Sequence, residues 1–340
     1  MADREALYRE IVAHDDDVDT QLVLADALID LGDPRGRLLA VQRALELDPW
    51  NADLQRDEVR LIDRHADAFL GPLALHRYDD GLELTWHRGF VRGAAIDEHH
   101  VASSRLLDEL LQIPAVEALS ALRLGHVLDF EGCRACLVAR RPALRRLEYG
   151  IDRHGKAVFE VGMLAPLLEV LPTLETFVGP GGDLGRIRLP NVRTFDLRYL
   201  SSDLSALVDA EWPLLESLRL GGTTFDYGFV DFRPLLDALG ATPHLRELAL
   251  FDMEDWDYAF GDPTPADTLV EHLAGSPVLA RLRRFELDGR IGTAGVTAIL
   301  EAAPRFAHLE DLVLTVADVD VDLRDRLSRV GPRVRLHPPR

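Results

Sequence analysis

Cysteine is nearly absent from this 340-residue chain: Cys133 and Cys136 are the only two. Two cysteines build no disulfide framework, and they suit a reducing cytoplasm. Lysine occurs once, as Lys156, against many arginines, and asparagine only as Asn51 and Asn191. Alanine, arginine, leucine and aspartate dominate, a bias typical of GC-rich bacterial coding. No run of about 18 uncharged apolar residues occurs, which excludes a hydrophobic membrane-spanning helix. The opening "MADREALYRE" is charged and lacks an apolar core, so it does not read as a secretory signal. Positive charge is also short. With 38 Lys and Arg against 58 Asp and Glu, the net charge is −20. Such a field repels phosphate backbones and anionic lipid, so neither nucleic acid nor a membrane is expected as partner. No G-x-S-x-G and no H-E-x-x-H occurs, which removes two common hydrolytic signatures.

What the chain does contain is a repeat. The pattern L-x-x-L-x-L, with conservative exchanges, occurs as "LSALRL" from Leu119, "LRRLEY" from Leu144, "LETFVG" from Leu174 and "VRTFDL" from Val192. It continues as "LESLRL" from Leu215, "LRELAL" from Leu245, "LRRFEL" from Leu282 and "LEDLVL" from Leu309. Pro142, Pro172, Pro190, Pro213 and Pro243 each precede a first anchor by two residues. Proline there ends a helix and sets an extended approach to a strand. Between anchors, "VGMLAPLLEVL", "FRPLLDALG", "ADTLVEHLAG" and "AGVTAILEAA" space their apolar residues by three and four, as helices do. Each unit thus predicts a strand, a turn and a helix. Such a unit buries its apolar side only by stacking on its neighbours. Over roughly residues 114 to 336 the chain resembles leucine-rich repeats. The resemblance implies an α/β solenoid, with parallel strands on the concave side and helices outside. The asparagine or cysteine that family carries after the third anchor is missing, so water or other side chains must satisfy the turn backbone.

The N-terminal part reads as helices. Residues 3 to 13 form one; a second starts near Gln21, capped by Asp19 or Thr20, and runs to about Leu31. The acidic "HDDDVDT" lacks the glycine and glutamate of a calcium loop. Gly32 suits the left-handed position after a helix, Asp33 an N-cap and Pro34 a first helical position. "GDPRG" is therefore a corner between two helices; a phosphate loop would end in Gly-Lys-Ser/Thr. Leu22, Leu24, Ala25, Asp26, Leu28, Gly32, Asp33, Pro34, Arg35, Gly36 and Gln42 resemble the bacterial repeat-companion domain, a helical module found before such repeats. Leu24 and Ala27 stand where that family has tyrosine and tryptophan. Asp26 and Arg35 are expected to fix the corner as an ion pair. "GLELTWHRGFVRGAAI" then alternates as two strands, with Trp86 and Phe90 as plugs for the first repeat. The expected organisation is a helical module at 1–75, a junction and cap at 76–113, and the solenoid at 114–340.

Residues between the leucine anchors face the concave side. Mixed charge there suits a protein partner, and the candidates are Arg146, Glu148, Asp196, Arg198, Arg219, Arg284, Glu286 and Asp288. Trp256 and Tyr258, in the longest repeat, either anchor a partner or fold back to fill it. The pair "GCRAC" can serve a redox or metal site, or simply pack a helix. His99 and His100 sit in a loop without further ligands. The sequence thus points to a non-enzymatic cytoplasmic scaffold for protein–protein interaction, without cofactor. A redox or metal protein using Cys133 and Cys136 is the alternative.

Overall fold

The structure is a computed structural model that describes residues 4–13, 17–79, 81–97, 103–127, 129–151, 163–200, 204–223, 231–251, 264–316, 319–331 and 333–337. Its contacts divide the chain into two compact units, 1–148 with 152–154, and 149–151 with 155–340. The N-terminal helices, the hairpin and the first repeat strand therefore fall in one unit.

The first unit begins with five helices: α1 Arg4–Ala13, α2 Val18–Asp30, α3 Pro34–Leu47, α4 Ala52–Arg64 and α5 Ala66–Leu70. α2 starts earlier than the sequence suggests, because its cap is Asp17 and neither Asp19 nor Thr20. Asp17 accepts the Thr20 N–H at 3.2 Å and the Thr20 hydroxyl at 2.7 Å. The corner matches expectation: Gly32 has φ +69 and Asp33 caps α3 by accepting the Arg35 N–H at 3.0 Å. The ion pair does not. Asp26 is exposed, and Arg35 pairs with buried Asp33 at 3.5 Å. Tyr8 completes this corner, donating to Asp33 and accepting from Arg35 Nη1 at 2.6 Å. The Arg35 guanidinium lies 4.7 Å over the Tyr8 ring and 5.6 Å from the Phe69 ring.

Strands β1 Leu82–His87 and β2 Phe90–Ile96 form an antiparallel hairpin with a bulge at Thr85/Trp86. Arg88 and Gly89 turn it with positive φ at both positions, the sense that follows strand twist. The turn docks on α3: the Gly89 N–H donates to Gln42 Oε1 at 2.7 Å, and Arg88 Nε to Glu46 Oε1 at 3.0 Å. Trp86 and Phe90 do not simply plug the repeats. Their rings meet the helices, Phe90 against Tyr8 at 5.6 Å and Trp86 against Phe69 at 5.5 Å. Phe90 shares a core with Ile11, Leu28 and Leu39. α6 Ser103–Leu110, β3 Ala121–Leu124 and α7 Phe130–Arg140 follow, with β3 parallel to β2. β4, Arg146–Tyr149, lies where the division falls.

The second unit repeats strand and helix: α8 Ala165–Glu169, β5 Thr176–Pro180, β6 Thr194–Leu200, α9 Ser205–Val208, β7 Ser217–Thr223 and α10 Arg233–Leu239. It continues with β8 Glu247–Phe251, α11 Pro265–Gly275, β9 Arg284–Ile291, α12 Thr293–Glu301, α13 Ala303–Phe306, β10 Asp311–Val316, α14 Val321–Leu327 and β11 Val334–His337. β5 to β11 pair in sequence order, all parallel. The pairing is in phase, so the anchors stack in rows. Phe195, Leu218, Leu248, Phe285 and Leu312 occupy one row, and each is at most 2% exposed. Phe177 and Phe195 stack at 5.2 Å, and Trp212 meets Phe195 at 5.4 Å. Burying such rows supplies most of the stabilisation, about 25 cal/mol per Å² of apolar surface removed from water.

Among the described residues, several turns are satisfied by backbone and side-chain groups rather than by a ladder of asparagines. Before β7 and β9, one carbonyl accepts two N–H groups of the next repeat: Arg193 takes Glu216 and Ser217, and Arg246 takes Arg283 and Arg284. A buried side chain serves another corner. Asp267 accepts N–H bonds from Thr264, Gly292 and Gly295 at 3.0, 2.8 and 2.9 Å. Both asparagines are structural, Asn51 capping α4 and Asn191 donating to the Pro172 carbonyl.

Candidate interaction surface

A parallel strand with its leucines buried presents the intervening side chains on its other face. In the second unit these are Thr194, Asp196 and Arg198 on β6, Ser217, Arg219 and Gly221 on β7, and Glu247, Ala249 and Phe251 on β8. Arg284, Glu286 and Asp288 follow on β9. Most of the charges pair within this face. Arg284 donates to Glu286 at 2.8 Å, Arg335 to Asp311 at 2.9 Å, and the Thr315 hydroxyl to Asp288 at 2.7 Å. The Arg335 bond lowers the Asp311 pKa below the usual carboxylate range.

One group is built differently. Asp196, 5% exposed, binds Arg198 through both oxygens, at 2.8 and 2.9 Å. The same carboxylate faces Arg219 Nε at 3.3 Å. Both guanidiniums lie on the Phe251 ring, 4.8 and 5.3 Å from its centre. The ring reaches them because Gly221, in register between Arg198 and Phe251, has no side chain. A Cβ on Gly221 would stand 2.0 Å from the Phe251 ring. The side chains of Arg198 and Arg219 remain 29% and 32% exposed. The sequence shows both arginines but not their platform, since Phe251 looks like one more apolar residue of "LALF". A bare glycine one strand before it is the signal that could have been used.

Of the other expected residues, Arg146 and Glu148 belong to the first unit and pair with each other at 2.6 Å. They border a shallow cavity of about 200 Å³ that Arg123 also lines. Arg123 is bound to Asp97 at 2.8 Å. Trp256, Tyr258, His99 and His100 lie outside the described residues.

Cys133 and Cys136 sit on α7. Cys133 is buried, and burial pushes its thiol up to about 12, helped by the Asp129 carboxylate. Burial and then Asp108 push Cys136 up to about 11. The helix start that would lower a thiol pKa is taken by Asp129. Its carboxylate accepts the Gly132 N–H at 2.8 Å and the Ser104 hydroxyl at 2.6 Å. Thiolate chemistry needs the opposite shift. Among the described residues, no group of three metal-ligating side chains converges and no helix is long and apolar enough to cross a membrane.

No protein-family model and no curated protein matches the sequence. The fold resembles a solved protein of Bacteroides fragilis, at TM-score 0.54 and 18% identity, covering 84% of this chain and 82% of that one. That likeness supports a mixed α/β, mostly parallel repeat-like fold, and concerns the fold alone.

Proposed function

We propose that this chain is a non-enzymatic recognition protein of the leucine-rich-repeat type, with a repeat-companion-like helical module at its N-terminus. It binds a protein partner through the strand face of the second unit. The carrying observation is the cluster of Arg198, Asp196 and Arg219 on Phe251, preorganised and still about a third exposed at both arginines. Strands hold these side chains in place before binding, which lowers the ordering cost of association. Arginine and aromatic residues together are the usual energetic centres of interfaces. Mixed charges around them favour a protein over a polyanion, as does the net charge of −20.

The test is affinity capture from the native lysate with the wild type and with Arg198→Glu, Arg219→Glu and Arg284→Glu combined. The expected result is a protein retained by the wild type and lost from the triple variant, with thermal unfolding little changed. An identical set of captured proteins would remove this face from the account.

A further inference from the structure

Among the described residues, the second unit's strand face holds a local excess of positive charge with a defined geometry at β6 and β7. Arg284 has Glu286, and Arg335 has Asp311, one carboxylate to each arginine. Arg198 and Arg219 share the single carboxylate of Asp196. Arg198 donates from Nε and Nη2 to Asp196, and Arg219 Nε lies 3.3 Å from the same carboxylate as an ion pair. Among the described residues, Arg198 Nη1 and both terminal nitrogens of Arg219 have no acceptor. Phe251 beneath packs against both guanidiniums, so the remaining donors are held rather than dangling.

We propose that Arg198 and Arg219 together receive one carboxylate from an acidic side chain of the protein partner. This rests on the reading of the strand face as the binding surface. Charge balance selects the group. The cluster carries two positive charges and one negative, so a monoanion neutralises it. A phosphate dianion would overshoot beside Asp196, with Glu247 on the neighbouring strand. Geometry selects it too, because paired guanidinium donors match the two oxygens of a carboxylate. Arg290 is the comparison within the same unit: exposed, and among the described residues without an aromatic platform or a shared carboxylate.

The experiment uses the full chain labelled with 15N-arginine and follows the side-chain Nε–H resonances. Arg198→Gln and Arg219→Gln assign the two signals. The probes are the peptide acetyl-Gly-Ser-Glu-Ser-Gly-amide, its Gln counterpart, acetate and inorganic phosphate, at matched ionic strength. The Glu peptide should move Arg198 and Arg219 saturably, and Arg290 by about a tenth as much or less. The Gln peptide should leave all three in place, and phosphate should bind more weakly than the Glu peptide. Arg219→Gln should abolish the Arg198 response. Arg219→Lys, which keeps the charge without the fork, should weaken it by about tenfold. No saturable shift with the Glu peptide, an equal shift with the Gln peptide, or phosphate binding as tightly would overturn the proposal. Acetate binding as tightly as the peptide would make this a site for free carboxylates and overturn the protein source. If a captured partner binds Arg219→Gln as well as wild type but is lost from the triple variant, the strand-face reading survives and only the carboxylate assignment fails.

Discussion

Among the described residues, two clusters built on a buried aspartate combine the same chemistry: an aspartate, arginine and an aromatic ring. In the first unit, Asp33 and Arg35 are 4% and 5% exposed, and Tyr8 and Phe69 flank the guanidinium. In the second, Asp196 is buried but its two arginines are about a third exposed on Phe251. Burial separates the roles. A buried ion pair with one partner removed leaves a desolvated charge without compensation, so the first cluster is bound up in the fold. A partly hydrated arginine loses little when its partner changes, so the second cluster can serve recognition.

Asp33→Ala should have the largest effect. It removes the α3 cap, the Tyr8 acceptor and the Arg35 counter-charge together, and a loss of about 3–5 kcal/mol is expected in urea unfolding. A loss below about 1 kcal/mol would erase the contrast. Gly221→Ala sharpens the comparison from the other side. The added Cβ displaces the Phe251 ring, at about 1–3 kcal/mol by overpacking, and partner capture should fall with it. Retained capture would show that the platform is dispensable. Asp196→Ala should cost about 1–2 kcal/mol, less than Asp33→Ala, because water reaches the arginines it leaves.

The smallest effect concerns the thiols. With Cys133 raised to about 12 and Cys136 to about 11, the folded state favours neutral thiols. Their contribution is complete below the ordinary thiol value of 9.0 and is lost as pH rises through 11 toward 12. A thiol-reactive disulfide at pH 8 should label the native protein slowly and the urea-unfolded protein quickly. Fast native labelling would reopen redox chemistry at this pair.

The repeat was legible because its physics is periodic. Every leucine-type anchor sits at a fixed offset from its strand, and each of the eight segments carries a strand. β11 escaped notice because Val334 and Leu336 lack the preceding anchors and the strand is half-exposed. The helix corner was legible from Gly32, Asp33 and Pro34, since capping is local. Its ion pair was not. Asp26 and Asp33 both precede Arg35, one in the body of α2 and one in the corner itself, and only packing decides which is buried. The Arg198–Asp196–Arg219 cluster was half legible: alternation placed the charges on one face, but the ring beneath them comes from β8, a strand that carries neither arginine.

The most direct measurement compares Arg35→Gln and Arg219→Gln by urea unfolding under one set of conditions. The account predicts a loss of about 3 kcal/mol or more for Arg35→Gln and less than about 1 kcal/mol for Arg219→Gln. Equal losses would contradict it, because both clusters would then be parts of the fold and neither would be set aside for a partner.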